Sequence, residues 1–256
     1  VDIYQITAEQ LELFIFILLR VSAMVVTIPI FGNRNVPVRA KGGLSLMIAF
    51  LLFPFIKFNL PPLEIFSLIL GMVGEVIIGT VIGLAGRLAF AGVQIAGQLI
   101  GFQMGFAVVN VFDPITSEQV SIIAQFQYLI AMLIFLAVDG HHIFLSAIAE
   151  SYRIISPLDF HFSAELMQSI VEISKDIFII AVKIGAPVIT ALLMTSIGFG
   201  LIARTVPQIN ILIVGFPLKI AIGLIGIGLG LPLFAKIMGT VFLEYEGKLN
   251  VLLHLM

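Results

Sequence analysis

The sequence predicts an all-α, polytopic membrane protein organised as a single domain over residues 1–256. Three observations carry that prediction. Hydrophobic residues make up 60% of the chain and charged residues 11%, more apolar surface than a water-soluble core can hide. The mean hydropathy is +1.19. The apolar runs are also long and unalternating, which suits helices and not barrel strands. Composition then excludes several functions. With no cysteine, disulfides and thiolate metal sites are ruled out. A net charge of −2 without a basic patch argues against a nucleic-acid partner. The opening VDIYQITAEQLELF has acids before the first apolar run and no basic segment, unlike a cleaved signal peptide.

In chain order the apolar runs cover 11–30, 42–57, 64–86, 88–110, 119–138, 176–202 and 208–240. The segment PIFGNRNVPVRAK (29–41) separates the first two, and FNLPPLE (58–64) leads into the third. Arg87 divides the third from the fourth; DPITSE (113–118), VDGHH (138–142) and ARTVPQIN (203–210) supply later breaks. One extended polar stretch remains, 150–176. Its second half places Ala164, Met167, Ile170, Val171 and Ile173 or Ser174 near helical spacing, an amphipathic approach to the next run. No clean internal repeat is visible.

Charges fall where lipid-facing helices would not want them. A free-standing span needs about 20 predominantly apolar residues. Lys41 to Lys57, Arg204 to Lys219 and Lys219 to Lys236 enclose uncharged intervals of only 15, 14 and 16 residues. Arg20 and Glu75 lie inside runs. Each charge centred in a span costs roughly 2.5–3.5 kcal/mol, so several of these helices are expected to pack against protein or line a wet passage. Glycines agree. Gly79/Gly83, Gly97/Gly101/Gly105 and Gly226/Gly230 are small-xxx-small sets that let backbones approach closely.

Some familiar chemistry is missing. Asp139, His141 and His142 invite a metal reading. Adjacent helical histidines point about 100° apart, and no third ligand stands out nearby, so a polar turn is the better expectation and no cofactor is assigned. The glycines of GLIGIGLGLP (223–232) lack a preceding strand and a lysine–hydroxyl pair and form no nucleotide loop. No GxSxG serine or zincin histidine pair occurs. Arg20 and Glu75 could form a proton relay, although no chain of acids or histidines accompanies them. Phe is abundant at 22 residues, most of it expected to serve packing.

The central segment GQLIGFQMGFAVVNVFDP (97–114) is unusual for a span. Gln94, Gln98 and Gln103, three glycines and a terminal Asn110, Phe112, Asp113 and Pro114 interrupt an otherwise uncharged stretch. With this segment nearly the whole chain resembles the FliR family, the flagellar branch of the type III secretion export-gate proteins, whose virulence-system members are called SctT. The resemblance rests on an ordered set of motifs. They are Arg20 in the first run, PIFGNRNVPVRAKGGLSL, and GEVIIGTVIGL with Glu75 and Gly79. GFQMGFAVVNVFDP, VDGHH and ARTVPQINILIVGFPLKI follow.

The resemblance implies a non-enzymatic channel subunit of tilted and broken helices and helical hairpins, a P-like part followed by a Q-like hairpin. It implies FliP and FliQ as partners, FlhB and FlhA in the wider export apparatus, and unfolded flagellar proteins as the cargo. It implies residence in the bacterial cytoplasmic (inner) membrane, within the flagellar basal body. It also implies a plug over 103–119, with Gln103, Gly105, Phe106, Val109, Asn110, Phe112, Asp113 and Pro114 forming or shaping the closed passage. Arg20, Glu75, Gly79, Gly97, Gly101, Arg204, Pro207, Gly215 and Pro217 would serve helix packing and assembly. A secondary transporter with broken helices is the competing expectation; it requires paired broken segments, and 97–114 and 204–219 are only loosely similar.

Overall fold

The computed structural model describes residues 8–33, 36–56, 58, 64–106, 121–206, 208 and 210–256. The described residues form helices and no strand. The helices are α1 (Ala8–Thr27), α2 (Pro29–Gly32), α3 (Val38–Leu52, followed by a 3-10 turn Phe53–Phe55) and α4 (Ile65–Met104). They continue with α5 (Ile122–Ala137), α6 (Gly140–Ile154), α7 (Ala164–Thr205) and α8 (Ile211–Leu255). Five helices are long and apolar enough to cross a membrane, or six spans if α5 and α6 together make one.

The chain condenses into two compact units: the described residues of 1–88, 139–174 and 243–256, and those of 89–138 and 175–242. In the first unit, α1 buries one stripe: Leu13, Phe16, Ile17, Arg20, Val21, Met24 and Val25. The spacing of three and four is that of one helix face. Phe144 and Ile148 of α6 and Tyr245, Leu249 and Leu252 of α8 join this core. The end of α8 is tied by two hydrogen bonds: His161 N–H donates to the Met256 carbonyl at 2.9 Å, and Ser163 Oγ to the Leu255 carbonyl at 2.8 Å. Ser163 Oγ also accepts from Leu166 N–H at 3.0 Å, capping the start of α7.

The second unit has an aromatic centre, in which Phe90 lies 5.4 Å from Tyr128, 5.7 Å from Phe135 and 5.4 Å from Phe242. Beside it, Ile100, Met104, Ile123, Val188, Leu192 and Ile227 form an aliphatic cluster. Phenylalanine here is packing material, as its abundance suggested.

Several expected boundaries shift. Residues 65–104 of the runs 64–86 and 88–110 form one 40-residue helix, α4, through Arg87. Arginine is a good helix former, and its side chain is exposed, so the charge interrupts hydropathy without interrupting backbone hydrogen bonding. The last run does not stop at 240. Phe242, Tyr245, Leu249, Leu252, Leu253 and Met256 are buried, and this spacing carries α8 past the charged EYEGK as an amphipathic helix. The segment after 163 is helical as expected, but its buried residues are Leu166 and Ile173, while Met167 and Val171 are exposed. Of the apolar positions named for that face, Ile173 is buried in the chain and Met167 and Val171 are open.

Candidate functional site

The first cluster of predicted residues is a buried ion pair. Arg20 and Glu75 have relative exposures of 0% and 1%, though 55 positions apart in sequence. Arg20 Nε donates to Glu75 Oε2 at 2.5 Å and Nη2 to Oε1 at 2.9 Å, a bidentate, charge-assisted pairing. Nη1 donates to Ser151 Oγ at 2.9 Å and Nη2 to the Ile155 carbonyl at 3.3 Å. The guanidinium lies 3.8 Å from the Tyr152 ring centroid, within cation–π range. Three helices, α1, α4 and α6, are therefore keyed to one arginine. No other carboxylate or imidazole hydrogen-bonds to the pair among the described residues, so a relay would have no next member there.

The glycines explain how α1 and α4 come close enough. Glu75, Gly79 and Gly83 are spaced by four and share one face of α4. A Cβ on Gly79 would overlap the Arg20 carbonyl oxygen, and one on Gly83 would lie 2.6 Å from Thr27 Cβ. The element approached so closely at this pair is α1 of the same chain.

In the second unit the same device recurs towards the C-terminal end of α4. A Cβ on Gly97 would overlap Ala124 Cα, and one on Gly101 would overlap Ser121 Oγ. Ser121 caps α5, its hydroxyl accepting from Ala124 N–H at 3.4 Å. Gly105 adopts φ +94°. Its N–H donates to the Phe102 carbonyl at 3.0 Å, and Phe106 N–H to the Gly101 carbonyl at 3.1 Å. These are the two bonds of a Schellman motif, and Gly105 ends α4. Phe106 packs against the aliphatic cluster, and Gln103 is half-buried. Val109, Asn110, Phe112, Asp113 and Pro114 lie outside the described residues, as does Pro207. Arg204 is exposed in the last turn of α7, Gly215 is buried, and Pro217 is exposed within α8.

Gly97→Leu is therefore expected to lower the melting temperature of the detergent-solubilised protein more than Gly101→Leu. The first meets backbone, which cannot step aside; the second meets a hydroxyl that can rotate. Overpacking of the first kind costs about 1–3 kcal/mol. Ile100→Leu, at a fully buried position, should cost less than about 1.5 kcal/mol. Equal shifts at 97 and 101 would contradict the backbone contact. Gly105→Ala adds about 1–2 kcal/mol of left-handed strain, and its Cβ would lie 2.5 Å from the Phe216 ring.

Two features were not singled out from the sequence. Ser151 is a fully buried hydroxyl serving Arg20, with nothing in its local sequence to distinguish it. Lys183 in α7 is exposed, as is Lys236 in α8, which bounds one of the short uncharged intervals; the side chain of neither has a hydrogen-bond or ion-pair partner among the described residues.

Comparison with known proteins adds a separate line. Residues 11–245 match the family described as bacterial export proteins, family 1. The chain is 38% identical over 245 residues to the flagellar biosynthetic protein FliR of Bacillus subtilis (strain 168), covering 93% of this chain and 94% of that one. It is 32% identical over 235 residues to the protein of that name from Pectobacterium carotovorum subsp. carotovorum, covering 90% and 88%. With the one from Escherichia coli (strain K12) the identity is 31% over 244 residues, covering 94% of each.

Proposed function

Because this chain belongs to the bacterial export proteins, family 1, we propose that it is a non-enzymatic subunit of the flagellar type III protein export gate. In this reading it assembles with FliP and FliQ in the bacterial cytoplasmic membrane, at the flagellar basal body. FlhB and FlhA act beside the assembly, and unfolded flagellar proteins are the cargo. Residues 103–119 contribute the plug of the closed state. The observation that carries the reading is the identity of 31–38% to proteins named FliR along nearly their whole length.

Helix length supports it independently. At 1.5 Å per residue, α4, α7 and α8, with 40, 42 and 45 residues, have contours of about 60–68 Å. The hydrocarbon core of a bilayer is about 30 Å thick. Helices this long and apolar cannot all be solvated by lipid along their length. Nor does the chain cover most of them: 39%, 33% and 17% of the most apolar windows of α4, α7 and α8 are buried. The unpaired Lys183 and Lys236 on exposed faces also suit protein neighbours or water better than acyl chains.

Purification of the tagged protein in mild detergent, followed by mass spectrometry of what copurifies, tests the proposal. FliP and FliQ are expected in a durable particle. A monodisperse, thermally robust monomer that moves a small solute across vesicle membranes would overturn it and favour a transporter.

A further inference from the structure

We propose that Asp139, His141 and His142 form a binding site for a first-row divalent metal ion of the Zn²⁺ type. The histidines sit in the first turn of α6 and Asp139 at its N-cap. Separation along a helix argues against such a site only while Asp139 is left out. Asp139 adopts the left-handed conformation, φ 55° and ψ 28°, which turns the chain sharply and places its carboxylate beside the helix it precedes. One donor atom from each of the three residues then lies within 4.8 Å of the others.

The individual contacts suit a metal better than they suit a closed hydrogen-bond network. An N-cap aspartate ordinarily accepts from the helix's first N–H groups, but this one makes no capping hydrogen bond. Its Oδ1 instead stands 3.4 Å from His142 Nδ1, at the long end of the hydrogen-bond range, like the Ser121 cap. Two ligands bound at about 2.1 Å to a tetrahedral ion are themselves about 3.4 Å apart. His141 Nδ1 is shielded from solvent and has no hydrogen-bond partner among the described residues, and its ring lies 4.1 Å from that of His142. Binding would draw the third donor in from within 4.8 Å.

The donor set decides the class of ion. Two imidazoles and one carboxylate suit Zn²⁺, Ni²⁺ or Cu²⁺ and not the all-oxygen coordination of Ca²⁺ or Mg²⁺. Asp139 and His142 are exposed, with side-chain exposures of 73% and 67%, so the ion can enter from solvent. Three protein ligands leave a fourth position of a tetrahedral ion open to water or to a partner's side chain. The site stands independently of the export reading.

The test is calorimetric titration of the detergent-solubilised full chain with Zn²⁺, in parallel with Asp139→Asn, His142→Gln and the control His161→Gln. One saturable site per chain is expected in the wild type and the control. Asparagine tolerates the left-handed conformation, and His142 is exposed, so both variants should keep the wild-type circular dichroism. Each should weaken binding by at least about tenfold, since even the loss of a group that merely orients a ligand costs 10–100-fold. Absence of saturable binding to the wild type, or equal affinity in His142→Gln, would overturn the site.

Discussion

Arg20→Ala is expected to remove most of the folded protein from the membrane fraction. The substitution leaves the Glu75 carboxylate, 1% exposed, without its bidentate partner. It also strips Ser151 Oγ and the Ile155 carbonyl of a charged donor. Removing one member of a buried ion pair costs about 3–5 kcal/mol, against a total stability of only about 5–15 kcal/mol for a folded domain. Glu75→Ala should be comparably severe, because the guanidinium would keep only two neutral acceptors. Glu75→Gln, which still accepts one hydrogen bond, should fall between.

The decisive variant removes both charges. Arg20→Met with Glu75→Leu fills similar volume with apolar groups, and such replacements are often neutral or stabilising. Accumulation in membranes and thermal unfolding followed by circular dichroism should recover most of the wild-type values. If the ion pair carried protons during transport, the double variant would accumulate normally yet fail to support motility. If it only keys α1, α4 and α6 together, accumulation and motility should return together. Wild-type accumulation of Arg20→Ala would show that the pair is not a structural pin at all.

The presence of charge inside apolar runs was legible in the sequence; its consequence was read too broadly. Arg20 and Glu75 were expected to need neighbours, and the described structure supplies them within the chain. Nothing in one sequence sets which two helices meet when the partners are 55 residues apart. Gly79 and Gly83 were recognisable as a close-packing face, but not the helix that fills it. Periodicity marked an apolar face at Met167, Val171 and Ile173, but only Ile173 of these is covered by the chain. Hydropathy failed at the end of α8, where charged residues on the open face conceal a helix whose other face is buried. At Asp139 the missing information was a backbone angle. Counting along a regular helix could not foresee a left-handed residue that brings a carboxylate back to two histidines.

Phe106 and Phe112 are expected to behave differently, although both belong to the proposed plug. Phe106 packs against Ile100, Met104, Ile123, Val188, Leu192 and Ile227 and follows the Schellman end of α4. Phe106→Gly should destabilise the protein by up to about 3 kcal/mol, somewhat less than a fully buried phenylalanine would, and reduce assembly with little leak. Phe112 lies outside the described residues, and the proposal gives it to the closed passage. An apolar constriction excludes water by dewetting, and small residues leave room for a continuous water column. Phe112→Gly, or deletion of 108–112, should leave the particle intact while the membrane leaks ions and small solutes. Secretion should persist in part, because a plug resists leakage without driving transport. The chain has no cysteine, so a single cysteine at 112 would crosslink without competition from native thiols. Crosslinks from that position to FliP, together with leak through an intact complex, support a plug. A cysteine at 112 that reacts only with lipid-soluble reagents, or Phe112→Gly that loses the complex without leak, would reduce the segment to packing.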